Sequence, residues 1–212
     1  MELIHFILNF LGDPLTVIAE IIRDYGIFIY LFLFLIIFVE TGVVVMPFLP
    51  GDSLLFAVGL IAGTTGEINI FFIIPLLMLA ALMGDNLNYF IGKKFGDYVQ
   101  SKEKILFLKR EHIRQTEEYF EKNGGKTVII ARFVPIVRTI APFVAGAGEM
   151  KYSTYIMYCI TGAALWVTSI TLLGYFLGNV EWVKLNFEKV VMAIVVISVM
   201  PIILKMFQKK KV

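Results

Sequence analysis

The chain has 212 residues, 58% of them hydrophobic, and a mean hydropathy of +0.82. That balance excludes an ordinary soluble domain, which needs far more polar surface, and indicates an all-α integral membrane protein. The formal net charge of +2 is too small to suggest nucleic acid as a partner, and a single cysteine, Cys159, excludes an intrachain disulfide.

Residues 1–24 are weakly amphipathic and interrupted by Gly12-Asp13-Pro14, which reads as one or two short interfacial helices. The first Lys or Arg is Arg23, so no cleavable signal peptide is expected and insertion rests on internal apolar segments. A core is expected over 25–178. Tyr25–Val45 is strongly apolar but carries Glu40, then meets Pro47-Phe48-Leu49-Pro50-Gly51-Asp52. Ser53–Ala62 is apolar for only ten residues, too short to span, and Gly63-Thr64-Thr65-Gly66-Glu67 makes a polar turn. Residues 25–62 therefore fit a re-entrant hairpin at least as well as two spans.

Ile68–Gly92 is a span with Asp85, Asn86 and Asn88 late in it. The segment 93–126 is the main soluble feature, with nine Lys/Arg against six Asp/Glu. Within it, Arg110–Asn123 reads as a surface helix stopped by Gly124-Gly125, with Glu117, Glu118, Glu121 and Lys122 on a solvated face. Thr127–Gly148 is apolar, broken at Pro135 and Pro142, and carries Arg132 and Arg138; it is the second re-entrant hairpin. Two spans follow, 152–178 and 187–207, and a basic tail at 208–212 holds Lys209-Lys210-Lys211. Trp166 lies inside a span, where packing is its expected role, whereas Trp182 suits the outer interface.

Basic residues set the orientation. The 93–126 loop and the C-terminus should both face the cytoplasm, so the membrane is crossed an even number of times between them. The last two spans supply two crossings, and 127–148 must enter and leave from one side. Two short matches also recur in order: Pro47-Phe48-Leu49-Pro50-Gly51 with Pro142-Phe143-Val144-Ala145-Gly146, and Tyr89-Phe90-Ile91-Gly92 with Tyr175-Phe176-Leu177-Gly178. The expected architecture is two oppositely oriented re-entrant hairpins plus transmembrane helices, an inverted repeat of the transporter kind.

Glu40, Asp52, Arg132 and Arg138 sit inside apolar segments. Each charge at bilayer depth costs about 2.5–3.5 kcal/mol on insertion scales, so such residues pair or face water and mark a substrate or proton path. Arg132 and Arg138 would point about 120° apart on an unbroken helix, and Pro135 between them can let them converge. The competing expectation is a buried salt bridge that only locks the hairpins together. Pro47, Pro50, Gly51, Pro135, Pro142 and Gly146 are the supporting backbone breaks. Asp85, Asn86 and Asn88 are candidates either for lining an exit path or for bonding between helices. His5 and His112 are isolated, and no metal-ligand spacing or cofactor motif is present.

Three motifs together resemble the DedA family: Glu40-Thr41-Gly42 with Pro47-Phe48-Leu49-Pro50-Gly51-Asp52-Ser53-Leu54-Leu55, then Gly84-Asp85-Asn86-Leu87-Asn88-Tyr89 with Gly92, then Gly124-Gly125-Lys126 with Ala131-Arg132-Phe133-Val134-Pro135-Ile136-Val137-Arg138-Thr139 and Pro142-Phe143-Val144-Ala145-Gly146. The likeness runs over nearly the whole chain. It implies a multi-pass protein of the bacterial inner membrane, related to eukaryotic lipid scramblases. Some members are understood to return undecaprenyl phosphate across the membrane; others are linked to phospholipid movement, proton-motive force or envelope stress. It also implies that Glu40, Asp52, Arg132 and Arg138 are the functional residues.

The expected activity is lipid transport rather than catalysis. Arg132 and Arg138 would grip the phosphate of a polyprenyl phosphate or phospholipid, and Glu40 and Asp52 would couple the cycle to protons. The expected partners are that lipid and protons, with no nucleic acid, and a homo-oligomer is compatible. A proton-coupled small-ion transporter is the alternative; paired arginines argue against a cation site. A lipid phosphatase would want a nucleophile with a general acid, and neither histidine lies in the apolar core. A scaffold without transport is the remaining reading.

Overall fold

A computed structural model describes residues 24–42, 51–100, 104–105, 108–148, 150–186, 189–190 and 193. The interfacial helices expected before residue 24, Pro47 and Pro50, nearly all of the 187–207 span and the basic tail lie outside these residues. What is described is helical, apart from one two-residue antiparallel ladder. The helices are α1 (Ile27–Gly42), α2 (Gly51–Thr65), α3 (Ile70–Gln100), α4 (Arg110–Asn123), α5 (Thr127–Ala131), α6 (Pro135–Ala147), α7 (Tyr152–Gly178) and α8 (Glu181–Leu185); the ladder pairs β1 (Lys104–Ile105) with β2 (Leu108–Lys109).

Two helical segments, Ile70–Lys94 of α3 and Tyr152–Gly178 of α7, are long and apolar enough to cross a membrane. Their environment separates them from the core helices of a soluble protein. Only 39% and 33% of their most apolar windows are buried inside the structure. Phe71 is 86% exposed, and Phe176, Met157, Leu173 and Leu165 are all more than half exposed. Apolar side chains so distributed face hydrocarbon rather than water.

Local chemistry accounts for the boundaries. Gly66, at a φ of +74°, turns the chain after α2, and Asn69 starts α3 by accepting the Phe71 N–H at 3.0 Å through Oδ1. α4 ends at Asn123, where Gly124 takes a φ of +57°. The short α5 tightens into bonds from Phe133 N–H to Ile130 O (3.1 Å) and from Val134 N–H to Ala131 O (2.9 Å). Val134 is then extended (φ −118°, ψ 104°), the conformation favoured before proline, and Pro135 opens α6. The expected break at Pro135 is therefore present. The expected break at Pro142 is not: it lies within α6, which continues to Ala147. Its missing N–H removes one helical bond, and its buried position among packed neighbours keeps the helix intact.

The described residues divide into two compact units, those within 1–32, 50–74 and 169–212 and those within 33–49 and 75–168. In the second unit Phe120 of α4 packs against three buried clusters, which include Tyr89, Val128 and Tyr155, then Ile140 and Phe143, then Ala131 and Val137. That contact seats the charged helix on the apolar ones. Glu118, Glu121 and Lys122 are exposed as expected, while Glu117 is half-buried and lines a cavity of about 300 Å³ with Phe120, Phe143, Val144 and Met150.

One packing device occurs in each unit. In the second, a Cβ at Gly146 of α6 would strike the Tyr89 carbonyl of α3, and a Cβ at Gly92 would strike the Phe143 carbonyl of α6. In the first, a Cβ at Gly63 of α2 would strike the Tyr175 carbonyl of α7, and one at Gly178 would strike the Leu60 carbonyl of α2. In both, a Tyr-Phe-x-Gly turn meets a short helix through glycines, and the struck carbonyl lies three residues before the partner glycine. Backbone therefore touches backbone at both places.

Candidate functional site

The second unit holds four buried charges. Glu40 lies in the last turn of α1, Asp85 midway along α3, Arg132 just after α5, and Arg138 in the first turns of α6. Their exposures are 1%, 2%, 3% and 6%. Arg138 Nη2 donates to Glu40 Oε1 at 2.6 Å, and Arg132 Nη2 donates to Asp85 Oδ2. Two bases and two acids give this group a formal charge of zero. Neutrality is what allows it to stay buried, because an unpaired charge there would carry its whole desolvation penalty.

Sequence places each member for a reason. Val134 and Pro135 end one helix and start another between Arg132 and Arg138, so the two side chains are not tied to one helical face. Both guanidinium groups end over the same indole: the Cζ atoms of Arg138 and Arg132 lie 4.7 and 5.7 Å from the Trp166 ring centroid. Thr41, next to Glu40, returns its hydroxyl to the Ile37 carbonyl at 2.9 Å. Gly84, next to Asp85, lets α1 approach, since a Cβ there would strike the Thr41 hydroxyl oxygen. Glu40 and Asp85 are thereby carried on two helices in close backbone contact.

A hydrogen-bonded shell surrounds the Asp85 pair. Cys159 Sγ lies 3.4 Å from Asp85 Oδ2 and 3.6 Å from Arg132 Nη2, and Tyr155 donates its hydroxyl to the Asp85 carbonyl at 3.0 Å. Asn88 is fully buried and donates Nδ2 to the Thr139 carbonyl at 2.7 Å, which fixes its amide. Asn86 accepts from the Tyr152 hydroxyl at 2.9 Å. Among the described residues, Arg132 Nη1 and Asn88 Oδ1 are buried and have no hydrogen-bond partner.

These positions revise parts of the sequence reading. Asp85 is the ion-pair partner of Arg132, a contact that the sequence reading did not include. It is buried because α3 carries it to Arg132. Asn86 and Asn88 bond α3 to α7 and to α6. Asp52 is half-buried in the first turn of α2, in the first unit, and Gly51 begins that helix. Gly146 serves as a close-packing position near the end of α6 rather than a break. Cys159 and Trp166 were the members the sequence reading missed. The available signal was the face 159, 162, 163, 166 on a span without a charged residue, at the i, i+3, i+4, i+7 spacing of one helical stripe.

Residues 49–176 match the family model described as the VTT domain. Over 212 residues the chain is 43% identical to Protein DedA of Escherichia coli K12, covering 100% of this chain and 97% of that one. The chain belongs to the DedA family. It is also 43% identical over 166 residues to an uncharacterized membrane protein of Mycobacterium leprae, covering 78% of this chain and 74% of the relative. With Inner membrane protein YqjA of E. coli K12 the identity is 31% over 179 residues, or 84% of this chain and 80% of the relative. No solved structure matches the chain. Relatives named as membrane proteins and the lipid-facing apolar helices agree: this is a membrane protein of the DedA family.

Proposed function

We propose that this protein moves a phosphate-bearing lipid across the bacterial cytoplasmic membrane, with undecaprenyl phosphate as the first candidate and a phospholipid as the second. One observation carries the reading: two guanidinium groups are buried among apolar helices, each against a carboxylate. A guanidinium stays charged when buried and offers a fork that matches phosphate oxygens. A cation site would not place two of them together. The protein supplies binding and passage, not bond chemistry, so it is not an enzyme.

In the proposed cycle the arginines leave their carboxylates for the lipid phosphate while the lipid tail stays in hydrocarbon. Protonation of Glu40 or Asp85, with Asp52 as the third acid of the family motif, favours that exchange and couples transport to the proton gradient. The lengths of three helices support re-entrant hairpins. α1, α2 and α6 have 16, 15 and 13 residues, about 20–24 Å each, against a hydrocarbon core of roughly 30 Å. The glycine packing that recurs in the two units supports an inverted repeat, with Gly63 matching Gly146. Multiple crossings, with 93–126 and the C-terminus in the cytoplasm, follow from the positive-inside rule.

The test is transport in proteoliposomes. Wild-type protein should move a labelled polyprenyl phosphate between leaflets, faster with an imposed proton gradient, and Arg138→Ala should abolish the movement. Full transport by Arg138→Ala would remove the phosphate role. Ion flux that needs no lipid would favour a proton-coupled small-ion transporter instead.

A further inference from the structure

We infer that Trp166 is a positioning residue, a shared platform that holds both arginines in place while their hydrogen-bond partners change; the inference rests on the phosphate-binding reading above. Trp166 is fully buried and is the largest of the fully buried side chains. Packing alone would account for that. It does not account for two guanidinium carbons at 4.7 and 5.7 Å from one ring centroid.

In the resting arrangement Glu40 and Asp85 neutralise the two guanidinium groups, but when those carboxylates are exchanged the shared ring is the attraction that remains common to both. An indole face is the strongest aromatic partner for a cation. The same face of α7 is shaped for the arrangement. A Cβ at Gly162 would sit 3.3 Å from Arg132 Cγ, so a side chain there would crowd the arginine stem. Cys159, one turn away, is 3.6 Å from Arg132 Nη2.

The two kinds of contact use different parts of the guanidinium. Stacking uses its flat face, whereas carboxylate and phosphate use the N–H groups at its edge. An arginine can therefore exchange Glu40 or Asp85 for a phosphate without leaving the ring. Arg132 Nη1 has no hydrogen-bond partner among the described residues, so one edge donor is open to such an anion. Without the platform, a released arginine would recover the rotamer freedom of a long side chain, and binding would have to order it again.

The experiment is equilibrium binding of radiolabelled dodecyl phosphate, a simple monoester amphiphile, to the full chain in detergent. Affinity should fall severalfold in Trp166→Phe and on the order of tenfold in Trp166→Leu, because the cation–π attraction ranks indole over phenyl over alkyl. Equal binding by all three, or equal loss in Phe and Leu, would assign the residue to volume filling and overturn the inference. If Trp166→Leu does not fold, Trp166→Met, a longer side chain without a π face, takes its place in the ranking. A second reading is spectroscopic. The chain has two tryptophans, so Trp182→Phe leaves Trp166 as the sole emitter; Arg138→Gln in that background should shift its emission without ligand, and no shift would overturn the stacking. A wild-type chain that ignores dodecyl phosphate while its emission still shifts would defeat the phosphate reading and leave the stacking intact.

Discussion

A carboxylate buried beside a guanidinium contributes less through attraction than through the penalty that its removal exposes. Asp85→Asn leaves the Arg132 charge facing an amide, with a hydrogen-bond acceptor but no counter-charge. Removing one partner of a buried pair costs about 3–5 kcal/mol, whereas replacing both with apolar groups is often neutral. Asp85→Asn should therefore lower unfolding stability in detergent by about that amount. Asp85→Leu with Arg132→Met should recover most of it. Under the proposed cycle neither variant moves lipid, since each has lost the Arg132–Asp85 pair, one of the two that the cycle exchanges. Comparing stability with transport separates a lock from a working site: a double variant that is stable and still transports would make the pair purely structural. The Cys159 thiol, 3.4 Å from Asp85 Oδ2, belongs to the same shell, and a thiol is a weak donor that adds little to the pair.

At the scale of elements, the glycine contacts decide how closely the short helices sit on the long ones. Gly146→Ala places a methyl against the Tyr89 carbonyl and near the Lys93 backbone nitrogen. Backbone cannot yield as a side-chain tip can, so α6 has to move away from α3. Overpacking of this kind costs about 1–3 kcal/mol. Gly63→Ala, against the Tyr175 carbonyl of α7, should cost a similar amount. Thermal unfolding of both variants in detergent checks the parallel, and an unchanged midpoint in either one breaks it.

The same helices mark what could be read from residues alone. α4 was legible to both ends, because charge, a glycine stop and length agree over Arg110–Asn123. The spans at 70–94 and 152–178 were legible from hydropathy. Proline proved ambiguous: Pro135 starts a helix and Pro142 rides inside the same one, and only packing tells these apart. The two Tyr-Phe-x-Gly matches end on glycines that pack alike, whereas the other matched motif has no such parallel, since the glycine that packs like Gly146 is Gly63 rather than Gly51. Asp85 was legible only as a polar residue of an exit path or of helix–helix bonding, not as the partner of Arg132, because the two are 47 residues apart and only the meeting of α3 with the α5–α6 turn joins them.

For the whole molecule, the proposed topology makes a claim about sides that chemistry in the membrane can check. Cys159 is the sole cysteine, so Cys159→Ala gives a background in which single cysteines can be introduced. A re-entrant 127–148 returns to its own side, so cysteines at positions 126 and 151 should both resist an impermeant maleimide in intact cells and react after permeabilisation. α3 and α7 each cross once, which puts positions 67 and 181 on the outer face, reactive in intact cells. Labelling of 126 and 151 from opposite sides would mean that the α5–α6 segment crosses the bilayer. That result would remove the even count of crossings between the basic loop and the C-terminal lysines. It would also cost the inverted repeat one of its hairpins, because α6 would then be a piece of a span rather than an arm that carries Arg138 into the membrane and back out on the same side.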